Sequence, residues 1–182
     1  MTHSKKVLPT SQRFIQQVAE AIPGLLYIYD LEEDRNIYSN NQTSAMLGYT
    51  PAEIQQMGSA FLPTLMHPED FTKVPGNLAT IATLKDNEVF EWEYRVRKAQ
   101  GEWRWLLGRD TIFMRNSDGR VKQILGTAID ISGRKQTEIA FQQAKEQLEI
   151  TVSERTAELS LLNRQLRLEI AERQGVEAAL RD

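Results

Sequence analysis

Apolar residues recur with a helical period in some stretches of this chain and alternate strictly in others. From Ser11 to Ile22, Phe14, Val18 and Ile22 fall four apart, the spacing of one helix face. Thr10 or Ser11 is placed to cap that helix, and Pro23-Gly24 stops it. Leu25-Leu-Tyr-Ile-Tyr-Asp30 is a short apolar and aromatic run bounded by turn residues, so it predicts a strand. Residues 36–39 predict a second, shorter one. The helical period then returns over residues 40–86. Asn40 or Asn41 can cap a helix through Ala45, Met46 and Leu47 that ends at Gly48. Thr50-Pro51-Ala52-Glu53 joins a capping box to a proline at the first helical position. His67-Pro68-Glu69-Asp70 reads as a further helix start, its acids facing the positive end of the helix dipole. Pro75 forces a restart and predicts the next helix over 76–86.

From Glu88 the period is two. Phe90, Trp92, Tyr94 and Val96 alternate with Glu91, Glu93, Arg95 and Arg97, the pattern of a half-buried strand. Trp103, Trp105 and Leu107 carry an alternation on to Arg115, and Asn116-Ser-Asp-Gly119 is a hairpin signal. Val121 to Ile131 is a third long strand, with Ile124, Gly126, Ala128 and Asp130 on one face. Two strands, a helical insertion and a three-strand meander predict an α+β fold. Its core is a five-stranded antiparallel sheet with short helices on one face.

Composition changes near residue 132. All six prolines, three tryptophans and five tyrosines lie before residue 106. Residues 133–182 hold 8 basic and 9 acidic side chains and one aromatic, Phe141, which reads as a long exposed helix. The predicted organisation is a lead-in helix over 1–22, a globular domain over 23–132 and a coiled-coil helix over 133–182.

Charge and chemistry narrow the function. The net charge is −3, which gives no electrostatic footprint for nucleic acid. With no cysteine, disulfides, thiolate metal sites and cysteine nucleophiles are excluded, and His3 and His67 cannot together make a multi-histidine zinc site. No apolar run reaches membrane-spanning length, and the first residues lack the apolar core of a secretory signal, so the expected location is cytoplasmic. No nucleophile–base pair or metal cluster stands out, so no catalytic residue and no metal site is predicted.

Several fragments, in this order and spacing, resemble a PAS domain. They are Tyr-Ser-Asn-Asn (38–41), Leu-Gly-Tyr-Thr-Pro-Ala-Glu-Ile (47–54), His-Pro-Glu-Asp (67–70) and Glu-Tyr-Arg-Val-Arg (93–97). Gly-Glu-Trp-Arg-Trp (101–105), Ile-Leu-Gly-Thr-Ala-Ile-Asp-Ile-Ser (124–132) and Arg-Lys (134–135) complete the set, the last strands being of the PAC type. With the helix that follows, the whole is similar to the sensory region of bacterial sensor histidine kinases and of diguanylate cyclases. The resemblance implies a PAS fold and a sensory role; it specifies no ligand.

Light-oxygen-voltage photochemistry and the hydroxycinnamate chromophore both need a cysteine that is missing here. The positions that resemble the flavin-holding amides of such domains are Val96, Leu107 and Ala128, which offer no hydrogen bonds. His67 reads as a turn-and-cap residue rather than a haem ligand. No cofactor is therefore expected, a flavin- or haem-bearing redox or gas sensor being the alternative. The inner sheet face, and with it any pocket for a small ligand, is expected to present Tyr27, Tyr29, Trp92, Tyr94, Val96, Leu107, Ile124, Gly126 and Ala128. Strict alternation from Trp103 adds Arg109, whose buried guanidinium would need a carboxylate or an anionic ligand. The competing expectation turns Arg109 outward at a Gly108 bulge or satisfies it with nearby acids.

Asp130, Ile131, Ser132 and Arg134 form the expected transmission site. Ser132 can cap the output helix and Asp130 can pair with Arg134. Val152, Leu159 and Leu166 at heptad position a put Phe141, Leu148, Leu162 and Val176 at d, and Leu180 returns to a. Five of the 13 a/d positions are charged, a weak seam suited to a helix pair that can shift. The expected function is a non-enzymatic sensory and dimerisation module. It passes a small-ligand or protein signal to a parallel homodimeric coiled coil at the front of a histidine kinase or, alternatively, a diguanylate cyclase.

Overall fold

The computed structural model describes residues 11–179, and the side chains of residues 13–175. His3, the Thr10 or Ser11 cap, Leu180 and the side chain of Val176 lie outside the described residues. The chain separates into two compact units, residues 1–133 and 134–182.

The first unit begins with α1 (Ser11–Ala21), then β1 (Leu25–Asp30) and β2 (Arg35–Ser39). Short helices follow: α2 (Gln42–Leu47), α3 (Pro51–Met57), a 3-10 turn at Gly58–Ala60, α4 (Phe61–Leu65), α5 (Pro68–Phe71) and α6 (Val74–Ala82). The meander is β3 (Phe90–Arg97), β4 (Trp103–Arg115) and β5 (Val121–Asp130). All five strands form one antiparallel sheet in the order β2-β1-β5-β4-β3. The first and last strands in sequence therefore lie side by side at its centre.

Local chemistry explains most of the boundaries. Gly48 ends α2 at φ 82°, a left-handed conformation open to glycine. The capping box is present: Glu53 N–H donates to Thr50 Oγ1, and Glu53 Oε2 accepts from Thr50 N–H at 2.7 Å. Gly119, at φ 85°, closes the β4–β5 hairpin. Two expectations are corrected. α6 starts at Val74 and ends at Ala82 rather than covering 76–86, because Pro75 occupies its first turn, where no amide hydrogen is needed. Asn41 precedes α2 without a side-chain cap, and Asn40 instead ties α1 to the sheet. Its Nδ2 donates to the Ala19 and Gly24 carbonyls at 3.0 Å each, and its Oδ1 accepts from Leu26 N–H.

The core lies between the sheet and α2–α6. Leu25, Leu47, Met66, Tyr94, Val96, Leu106 and Ala128 are its centre, and a second cluster gathers on Tyr29, Ile81 and Ile124. The other sheet face meets α1, where Phe14, Ile15 and Val18 border a groove with Leu26, Ile28, Phe113 and Leu125. The described residues of the second unit, 134–179, belong to one unbroken helix, α7 (Ser132–Ala179). Among the described residues no helix is long and apolar enough to cross a membrane.

Candidate functional site

The inner sheet face and the helices enclose a cavity of about 90 Å³. Of the ten pocket residues expected from sequence, Tyr27, Tyr29, Trp92, Tyr94, Val96 and Ile124 line it. Ala128 is buried in the core beside it. Gly126 is buried too, but it does not leave space: a Cβ there would overlap the Tyr27 ring and come within 2.5 Å of Asp110 Oδ1. The glycine is what lets Tyr27 lie flat across β5 and reach β4.

Leu107 and Arg109 are corrections. Leu106, Gly108 and Asp110 are the buried members of β4, so the expected alternation is out of phase by one residue. The register is regular through this stretch: Gly108 pairs with Trp92 on one side and Ala128 on the other, with no bulge. Shifting the phase of a strand by one residue moves every side chain to the other face. Arg109 points outward and forms an ion pair with Glu91, Nε to Oε1 2.7 Å. The inner face therefore carries a carboxylate, and Arg109 follows the competing expectation of a nearby acid, without the bulge at Gly108.

That carboxylate, Asp110, is 2% exposed. Its Oδ1 accepts from the Tyr27 hydroxyl at 2.7 Å and its Oδ2 from Trp92 Nε1–H at 3.1 Å. The Trp92 and Tyr94 rings stack with centroids 4.3 Å apart. No basic side chain among the described residues forms an ion pair with Asp110. Burial pushes its carboxyl above the usual range, and the hydrogen bonds from Tyr27 and Trp92 pull back against that. Burial and the charge of Asp110 push the Tyr27 and Tyr94 hydroxyls upward, so both stay protonated donors. Two further polar atoms at this cavity, Asn36 Oδ1 and Ser39 Oγ, are buried without a hydrogen-bond partner in the protein. Sequence reasoning missed all three residues. The signal for Asp110 was available: the phase that places Gly108 inside, against the bulky Trp92 and Tyr94, also places Asp110 there.

A second polar cluster covers the open edge of β3. His67 Nδ1 accepts from Glu69 N–H at 3.3 Å, so the histidine caps its own short turn. That turn hands Asp70 to the sheet edge. Asp70 Oδ2 accepts from Arg95 N–H at 2.9 Å and from Arg95 Nε at 2.8 Å, while Oδ1 accepts from Lys73 Nζ at 3.0 Å. His67 N–H donates to the Arg95 carbonyl at 2.9 Å. Backbone groups that an edge strand would leave open are thereby paired. Burial alone would raise the Asp70 carboxyl, but Arg95 and Lys73 hold it well below the usual carboxylate range. Among the described residues no cluster of three or more His, Cys, Asp or Glu side chains is arranged to hold a metal.

At the end of β5, Ser132 N–H donates to Asp130 Oδ1 at 2.7 Å, and Ser132 Oγ accepts from Trp105 N–H at 3.0 Å. That hydroxyl is thereby tied to β4. Asp130 Oδ2 lies 3.5 Å from Arg104 Nη1, and Ile131 N–H donates to the Trp105 carbonyl. In the second unit, Phe141, Leu148, Val152, Leu159, Leu162 and Leu166 are all exposed on the single helix.

The cavity volume bears on cofactors. It is smaller than the roughly 150 Å³ that holds a benzene ring. Val96, which lines it, offers no hydrogen bond.

Residues 36–128 match the family model of the PAS fold. The methyl sulfide methyltransferase-associated sensor of Methanosarcina acetivorans is 24% identical over 139 residues, an alignment that takes in 75% of this chain and 14% of that relative. The chain therefore spans far less than two thirds of this relative's length. The crystal structure of a sensory box histidine kinase/response regulator from Burkholderia thailandensis superposes with a TM-score of 0.55 at 24% identity, over 77% of this chain and 98% of that one. The N-terminal domain of a diguanylate cyclase with PAS/PAC sensor from Marinobacter aquaeolei does so with a TM-score of 0.51 at 21% identity, over 62% and 98%. At these identities the structures establish a shared fold. The family match covers half of the chain, with the sheet order and helical layer just described, and the chain belongs to the PAS family, a sensory and non-catalytic fold.

Proposed function

We propose that this chain is the input region of a larger receptor, in which a PAS domain over residues 23–132 biases a parallel, homodimeric coiled coil over residues 133–182. The lead-in helix, described as α1 over Ser11–Ala21, borders the sheet face opposite the sensory core. The inner sheet face takes a small ligand, and Asp130, Ile131, Ser132 and Arg134 carry its effect into the helix. A two-component histidine kinase is the output this reading favours, with a diguanylate cyclase second, because relatives of both kinds share the fold.

The observation that carries the reading is α7. Its leucines at 148, 159, 162 and 166 are each about half exposed or more. A 48-residue helix with a wet apolar seam is stabilised by a second copy burying that seam. The five charged a/d positions keep the seam weak, so a modest difference in sensor free energy is enough to shift it. Leu159→Glu with Leu166→Glu should convert a dimer into a folded monomer, read by light scattering with circular dichroism. A dimer that persists in the double variant would move the main interface to residues 1–133 and remove the coil from the reading.

A further inference from the structure

The cavity is mostly apolar, yet it leaves acceptor capacity open on Asp110 and on Asn36 Oδ1, with the Ser39 hydroxyl free to accept or donate. Asp110 uses one lone pair on each carboxylate oxygen and keeps others. Asn36 Oδ1 and Ser39 Oγ, on β2 beyond β1 and β5, have no protein partner at all. A buried carboxylate with two neutral donors and no counter-ion is costly, and a cation beside it recovers much of that cost. The pocket gives an anion no basic side chain to meet. Water is a poor occupant of the apolar remainder, where each molecule would find too few partners.

We infer that the PAS cavity is a binding site for a compact organic cation, an alkylammonium of a few heavy atoms, with its charged head on Asp110 and its apolar body among the core side chains. This rests on the ligand-sensing reading above and adds to it the charge and size of the ligand. The about 90 Å³ of space sets the size, and a buried carboxylate with no basic side chain in the lining sets the sign.

The test uses the whole chain with three probes of similar size: propylammonium, propan-1-ol and propionate, at matched ionic strength. Propylammonium at tenfold excess over its Kd should raise Tm by about 4 °C, with little effect from the other two. The Trp92 indole N–H resonance should shift saturably with propylammonium alone, a readout in the unmutated protein. Asp110→Asn should lower the preference for propylammonium over propan-1-ol at least tenfold. If that variant fails to fold, the Trp92 titration decides. Equal stabilisation by propan-1-ol or propionate would overturn the cation assignment while leaving a ligand pocket. No response to any probe would overturn it too, leaving the coiled-coil reading to its own double variant. Binding of propylammonium without any change in distance between spin labels on the two helices would keep the cation site and sink signal transmission to the coil.

Discussion

Asp70 and Asp110 are both almost completely buried, at 1% and 2% exposure, and their carboxyl groups are displaced in opposite directions. Asp70 meets an arginine, a lysine and a backbone amide. Asp110 meets a phenol and an indole. Neither side chain meets solvent, but Asp110 lies deeper, so depth and partners together decide the direction. The difference separates two jobs. Every strong acceptor site of Asp70 is spent holding the His67–Asp70 turn on the edge of β3. Asp110 sits over a cavity with acceptor capacity left.

The sharpest way to break the comparison is to remove the structural carboxylate. Asp70→Ala reopens the Arg95 backbone amide and leaves its guanidinium with Glu69 Oε2, 2.6 Å from Nη2, as its remaining carboxylate, at a cost of about 3 kcal/mol in urea unfolding. The stacking of Arg95 on Trp105, 5.0 Å from guanidinium to ring centroid, does not replace the lost ion pair. A loss under about 1 kcal/mol would mean the edge is held by Met66 and Val96 alone.

Acid titration gives the next effect, and the two residues enter it with opposite signs. The folded-state value of Asp70 lies below its unfolded value. Its contribution to stability is complete above about pH 4 and is lost as pH falls through the lower folded value. The folded-state value of Asp110 is raised. Its contribution is complete below about pH 4 and is lost as pH rises through the folded value. Tm measured across the acid range should therefore fall less steeply below pH 4 in Asp70→Asn than in the wild type. In Asp110→Asn the part of the decline that sets in above pH 4 should vanish. An unchanged slope contradicts the Arg95 and Lys73 bonds assigned to Asp70 in the first variant, and the desolvation of Asp110 in the second.

The sequence made one of these carboxylates visible and hid the other, for a physical reason. Asp70 stands in His-Pro-Glu-Asp, where local turn chemistry announces a helix start, though not the reach to Arg95 across the fold. The strand β1 and the alternation of β3 are likewise local signals and agree with the structure. The alternation of β4 is ambiguous. One phase offers Trp103, Trp105 and Leu107, the other Leu106, Gly108 and Asp110. Bulk favours the first phase and packing chooses the second, because Trp92, Tyr94 and the reach of Tyr27 already fill the space above Gly108 and Gly126. Trp105 faces outward and serves as the platform for Arg95. A tertiary fit of glycine against aromatic ring has no period along the chain, so hydrophobic patterning does not carry it. The open atoms of Asn36 and Ser39 depend on the same three-dimensional closure.

The smallest effect comes from the residue beside Asp110. Arg109 lies one position away in sequence and on the opposite face of the sheet. Its pair with Glu91 leaves both side chains more than half exposed. Solvent screens such a pair, and ordering two long side chains offsets most of the attraction. Arg109→Ala should therefore change unfolding free energy by no more than about 0.5 kcal/mol. It should also leave the propylammonium response of the Trp92 indole unchanged, because the guanidinium is outside the cavity. Measured next to Asp110→Asn, this pair of variants tests the phase of β4 directly. A large loss in Arg109→Ala, or a change in its ligand response, would return the arginine to the inner face and reverse the sign of the ligand the cavity selects.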